Sequence, residues 1–182
     1  GVFNGRWGWP KKNSPRVMKQ QKRRNMKRIL AIDPGKKGAI VCRYGTSCQW
    51  WRMPDSCRDL HDVIVSAVEG SVSDAVCYLE QVRGIPGMGG SSMFTFGQNF
   101  GNIEQCLIDL GIKTIKVTPQ RWQKMFGVGT SSIKDPATKR HEHKVKLKQR
   151  AQELFPACKV TLVNCDALLI SEYGCKHEQQ NM

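Results

Sequence analysis

Three acidic residues stand where a carboxylate is hard to explain as surface decoration. Asp33 ends the apolar run Ile29-Leu30-Ala31-Ile32, just before Pro34-Gly35. Glu80 follows Val76-Cys77-Tyr78-Leu79, and Asp166 precedes Ala167-Leu168-Leu169-Ile170. Read singly, these are a turn-forming Asp, a strand-end surface residue and a helix-start charge favoured by the helix dipole. Read together, each borders an element that belongs in a core, where a carboxylate is costly unless paired or bound to metal. Clustered carboxylate oxygens suit hard cations such as Mg²⁺ or Mn²⁺. Two such ions ~3.5–4 Å apart can activate a water and stabilise the leaving oxygen in phosphodiester cleavage. Asp33, Glu80 and Asp166 are therefore the expected metal-ligating residues.

The elements that must position them follow from apolar periodicity and turn residues. Strands are predicted over Arg28–Asp33, Gly38–Arg43 and Gln49–Arg52, joined by tight turns into an antiparallel meander. Leu60, Val63, Ile64, Ala67 and Val68 have helical spacing within Cys57–Val68. Ala75–Val82 reads as a strand buried on both faces. After the glycine-rich loop Gly84–Ser92 come a helix over Met93–Leu110, a strand over Ile112–Val117 and a short helix opened by Thr118-Pro119. A polar loop Gly127–Thr138 precedes a basic helix to Phe155, a brief extended segment Val160–Leu162 and a last helix over Cys165–Tyr173 stopped by Gly174. The fold class is α/β: a mixed five-stranded sheet flanked by helices, in the order of the ribonuclease H-like fold. In it the first and central strands are neighbours, the last helix crosses them, and the three carboxylates can converge.

At this point the motifs become specific. Ile32-Asp33-Pro34-Gly35, Leu79-Glu80-Gln81 and Asp166-Ala167-Leu168-Leu169-Ile170 resemble the three motif segments of the RuvC-type Holliday junction resolvases. The glycine loop, Phe96-Gly97-Gln98-Asn99-Phe100-Gly101, Val117-Thr118-Pro119-Gln120-Arg121-Trp122 and Glu172-Tyr173-Gly174 look closest to that family's phage and plastid branch. The resemblance covers about residues 28–174. It implies a homodimeric, Mg²⁺-dependent endonuclease that cuts four-way DNA junctions by paired symmetric nicks. It also implies two ions per site (Mn²⁺ substituting), no small-molecule cofactor, and Asp33, Glu80 and Asp166 as the catalytic carboxylates. One departure stands out. The family usually carries a fourth acid, sometimes His, three or four residues before the last Asp, and here Leu162 and Val163 stand there. The nearby Asn164 could cap the last helix or offer a neutral oxygen to a metal. Two other readings stay open: a nuclease of the same fold acting on RNA–DNA hybrids, and a catalytically silent junction-binding protein.

Charge points to a polyanionic partner. The chain of 182 residues carries 29 Lys+Arg against 15 Asp+Glu, a net charge of +14. Ten of the basic residues and no acid lie in residues 1–32, so residues 1–27 read as a basic arm that touches phosphate. Trp7 and Trp9 within it have no assignable core. Residues 28–176 read as the nuclease domain and 177–182 as a flexible tail. Lys134, Lys139, Arg140, Lys144, Lys146 and Lys148 make a dense basic loop and helix suited to backbone phosphates. Phe94 and Phe96, behind the glycine loop, are candidate wedges at a junction centre. The same helix, with Phe94, Phe100, Ile103 and Leu107, is the expected dimer surface. Eight cysteines without C-x-x-C spacing read as free thiols in a reducing intracellular compartment, bacterial or phage cytoplasm before plastid. The His141-Glu142-His143 triplet reads as part of a solvated basic face. The arm lacks an apolar signal core, and no apolar run approaches the ~20 residues of a membrane span.

Overall fold

A computed structural model describes residues 27–81, 89–128 and 135–181. The strands are β1 (Arg28–Ile32), β2 (Ala39–Tyr44), β3 (Ser47–Arg52), β4 (Ala75–Glu80) and β5 (Lys113–Val117). The helices are α1 (Cys57–Val68), α2 (Gly90–Asp109), α3 (Pro119–Met125), α4 (Pro136–Leu154) and α5 (Cys165–Gln180). They form one five-stranded sheet of order β3-β2-β1-β4-β5. β1–β2 and β2–β3 pair antiparallel, while β1–β4 and β4–β5 pair parallel. This is the predicted mixed sheet with its predicted element order.

The period-2 alternation of a strand sorts the core into two layers. Leu30, Ile32, Ile40, Cys77 and Leu79 face α1 and α2, where Leu60, Ile64, Ile103 and Leu107 meet them. Ile29, Ala31, Val41, Val76 and Tyr78 face the other way, onto α5. α5 is apolar nearly all round because it lies between the sheet and α4: Cys165 and Ala167 through Ser171, then Tyr173 and Gly174, are buried.

Several sequence expectations need correcting. Gly174 does not stop the last helix, which continues to Gln180. Glycine is there for close packing: an added Cβ would sit 2.7 Å from Tyr78 Cδ2 and 2.8 Å from Ile29 Cγ2. Residues 177–180 are therefore helical rather than a loose tail. They are held by the Tyr78 hydroxyl, which donates to Glu178 Oε1 at 2.8 Å and lies 2.8 Å from His177 Nδ1. The brief segment Val160–Leu162 joins no sheet and lies in a turn-rich connection over residues 156–164. α4 starts at Pro136, inside the expected loop, because Asp135 caps it and accepts from the Thr138 amide at 2.7 Å. Ile103 and Leu107 are buried in their own domain, at 1% and 0% exposure. They cannot form a dimer surface, since α2 spends that face on the sheet. The glycine loop from 82 to 88, Lys134 and residues 1–26 with Trp7 and Trp9 lie outside the described residues.

Candidate active site

The alternation that builds the core also builds the site. Asp33 continues the side of β1 that holds Ile29 and Ala31, and Glu80 continues the side of β4 that holds Val76 and Tyr78. Both therefore face α5. β1 and β4 run parallel with Ile32 opposite Leu79, so Asp33 and Glu80 leave the same end of the sheet side by side. α5 begins at that end, with Asp166 in its first turn. Strand, strand and helix thus deliver one carboxylate each to the same end of the sheet.

Asp33 sits at a sharp corner. Its amide donates to Ala39 O at 3.0 Å, and the Gly38 amide donates to Gly35 O at 2.7 Å. A Cβ on Gly38 would fall 2.1 Å from the Asp33 carbonyl oxygen, so only glycine allows the turn. The Gly35 amide donates to Asp33 Oδ1 at 3.2 Å and orients the carboxylate.

The electrostatics record three acids crowded together. Burial, then the Asp166 charge, pushes Asp33 up to about 6, against the weaker pull of Lys144 and the Gly35 amide. Burial, then Asp33 and Asp166, pushes Glu80 up to about 8. Two groups oppose that rise. The Trp122 indole Nε1–H donates to Glu80 Oε1 at 2.9 Å, and the Lys144 charge lies nearby. Lys144 Nζ donates to Asp166 Oδ2 at 2.5 Å. Burial disfavours the ammonium, but Asp166 and Asp33 more than compensate, and the Lys144 pKa lies above its ordinary value. The Cys165 thiol also reaches Asp166 Oδ1, at 3.3 Å. Among the described residues no three His, Cys, Asp or Glu side chains are grouped as they would be around a metal ion. The cation that these carboxylates face here is the Lys144 ammonium.

Two residues take roles that the sequence did not reveal. Trp122, so far only the last residue of a motif segment, is fully buried and orients Glu80. The signal available was an indole one turn after the strand next to β4, since a buried indole N–H needs an acceptor. Lys144, read as a phosphate contact, instead belongs to the carboxylate cluster. His143 Nε2 lies 3.2 Å from Gln123 Oε1, tying α4 to α3 beside it.

Asn164 is not available as a metal ligand. It is fully buried; its Oδ1 accepts from the Thr161 amide at 2.7 Å and the Thr161 hydroxyl at 3.1 Å, and its Nδ2 donates to Lys159 O at 3.1 Å. Nor does its side chain cap α5, for it turns back into the preceding loop. Of the other predicted contacts, Arg140 and Lys146 are exposed and Lys139 and Lys148 half-buried on α4. Phe94 is 68% exposed, whereas Phe96 stacks on Phe100 with ring centroids 6.5 Å apart.

No family profile and no curated protein matches this chain. Solved structures do. Thermus thermophilus RuvC in complex with Holliday junction substrate aligns with a TM-score of 0.55 at 9% identity, over 85% of this chain and 96% of that one. A second Thermus thermophilus RuvC structure aligns at 0.53 and 11% identity, over the same shares. The fold is ribonuclease H-like. At such identities the likeness concerns architecture alone. It says that the site just described lies within a ribonuclease H-like chain path along most of its length.

Proposed function

We propose that the protein is a metal-dependent, structure-specific DNA endonuclease that nicks four-way junctions in symmetric pairs. The observation that carries this reading is the delivery of Asp33, Glu80 and Asp166 to one end of the sheet by three separate elements. Three mutually repelling carboxylates, two of them with raised pKa, make an acid site that a divalent cation would relieve. All-oxygen donors fit Mg²⁺, with Mn²⁺ as substitute and two ions per site. When bound, the metal supplies charge stabilisation and an activated water for phosphodiester hydrolysis. The chain's own residues do the rest. The Gly35 amide and the Trp122 indole hold Asp33 and Glu80 in orientation. Lys144 neutralises Asp166 until a cation or a phosphate competes for that charge. Arg140, Lys146, Lys139 and Lys148 on α4 position the DNA backbone, Lys134 extends the same basic segment, and exposed Phe94 is the wedge for a branch point.

Paired nicks need two sites, so the active unit is proposed to be a homodimer. Its surface is the outward side of α2 beyond Phe94, where Ile108 is 69% exposed and Gly97 and Gly101 have open space beyond their Cα atoms. Placement in the phage and plastid branch rests on the motifs alone.

The deciding experiment incubates a labelled four-way junction, a linear duplex and an RNA–DNA hybrid with the protein, with and without Mg²⁺. Symmetric junction nicks that require Mg²⁺ support the proposal, and cleavage of the hybrid alone replaces it. Asp33→Asn should reduce cleavage by at least ten-fold while junction binding survives, because a metal ligand serves the transition state more than duplex affinity. Retention of more than about a tenth of the activity removes Asp33 from the site. The second reading, a silent junction binder, is favoured by Leu162 and Val163 at the fourth-acid positions and by the engagement of Asn164 elsewhere. It predicts binding without cleavage of any of the three substrates.

A further inference from the structure

Cys165 touches Asp166, and two of the other cysteines are placed together by the fold. Cys48 lies on edge strand β3, directly across from Arg43 of β2. The Arg43 guanidinium sits over the Phe155 ring, 5.1 Å from its centroid. Phe155 turns immediately into Cys158, whose amide donates to Phe155 O at 3.0 Å. This path returns Cys158 to the β3 edge, where the Cys48 and Cys158 thiols are within side-chain hydrogen-bonding reach of each other. Both are half-buried, packed at the margin of the α5-side core, and both are free thiols. Cys175 is also near Arg43 but hydrogen-bonds to neither.

We propose that Cys48 and Cys158 form a reversible intrachain disulfide under oxidising conditions, a modification site that staples β3 to the α4–α5 connection. The proposal does not depend on the nuclease reading. The oxidant is a low-molecular-weight disulfide. The Cys158 thiolate attacks one of its sulfurs, forming a mixed disulfide and releasing the first small thiol. The Cys48 thiol then loses its proton and attacks the Cys158 sulfur, releasing the second. One disulfide bond breaks and one forms; the cysteine pair gives up two electrons, the small disulfide gains them, and the two protein protons leave on the two released thiols. Cys48 is the resolving partner because burial, then the neighbouring Cys158, pushes its thiol up to about 12. The consequence reaches the acid site. Lys159, next to Cys158, accepts from Asn164, which sits at the start of the helix that carries Asp166. Oxidation therefore fixes to the sheet the loop that sets the first turn of α5.

The test oxidises the full chain under native conditions with glutathione disulfide, blocks remaining thiols by alkylation and digests with trypsin. Residues 44–52 and 151–159 each form a tryptic peptide with a single cysteine, Cys48 and Cys158 respectively. The expected product is these two peptides joined, lighter by two hydrogens than their sum and separated by dithiothreitol. Cys48→Ser and Cys158→Ser should each eliminate it. If either variant fails to fold, the wild-type map alone decides. Recovery of peptide 44–52 joined to peptide 160–176, which holds Cys165 and Cys175, overturns the assignment, as does recovery of both cysteines reduced or only glutathionylated.

Discussion

Glu80 is the residue on which opposing forces are most evenly set. Burial and two neighbouring carboxylates favour its protonated form, while the Trp122 indole and Lys144 favour the anion. Trp122→Phe removes the indole N–H and leaves an aromatic ring, so Glu80 should titrate higher still. The acidic limb of the cleavage pH profile should then move to higher pH. The lost hydrogen bond and residual cavity should cost about 1–3 kcal/mol in denaturant unfolding. An unmoved profile with only a stability loss would make Trp122 a packing residue. Glu80 and Asp33 also couple pH to folding. Their folded pKa values, about 8 and about 6, lie above the ordinary 4.5 and 3.8. The folded chain therefore holds protons that the unfolded chain releases. Their stabilising effect is complete below about pH 4 and is lost as pH rises through about 8. Glu80→Gln keeps the shape without the titration. In metal-free buffer it should become more stable relative to wild type by a few kcal/mol between about pH 5 and about pH 8, read from urea midpoints. A pH-independent difference would rule out the coupling.

At the scale of elements, α5 is held against β1 and β4 by the absence of a side chain. Gly174→Ala would drive a methyl into Tyr78 and Ile29 at contacts below 3 Å. The Tyr78 ring has little freedom to yield, because its hydroxyl is tied to His177 and Glu178. The expected cost is about 1–3 kcal/mol in the unfolding free energy, as for other overpacked cores. The same variant should weaken cleavage beyond its effect on folding, since any tilt of α5 moves Asp166. A variant as stable as wild type by thermal melting would show that the helix shifts freely at this crossing.

Over the whole molecule, the N-terminal arm joins the domain at the end of the sheet opposite the three carboxylates. Lys27 pairs with Glu178 in the last turn of α5, at 2.7 Å, where β1 begins. Asp33 leaves the other end of that strand, about 17 Å away at ~3.3 Å per residue. The basic arm thus joins the domain far from the carboxylates. Removing residues 1–25 takes away eight positive charges. If the arm touches DNA, its removal should flatten the slope of log K against log salt by about 0.9 for each phosphate that the arm neutralises, with cleavage of bound junction unchanged. An unchanged slope would show that the arm does not touch DNA.

The sequence alone determined the order of elements and singled out three acids at the edges of apolar runs. Apolar alternation in β1 and β4 and helical spacing in α1 are local patterns, and a carboxylate at the edge of such a run is visible without coordinates. Asp135-Pro136 is an equally local helix start, masked by the polar residues on either side that read as loop. What the tertiary structure decided depended on partners distant in the chain. Gly174 looks like a helix stop until Tyr78 and Ile29 are found against it. Asn164 looks like a ligand until Thr161 and Lys159 take both its polar ends, and Ile103 looks like an interface until the sheet covers it. Lys144 and Trp122 join the acid site through residues 22 and 42 positions away. Such side chains are long and amphipathic, and only the packing of α3 and α4 around the sheet end fixes which charge or donor each one meets.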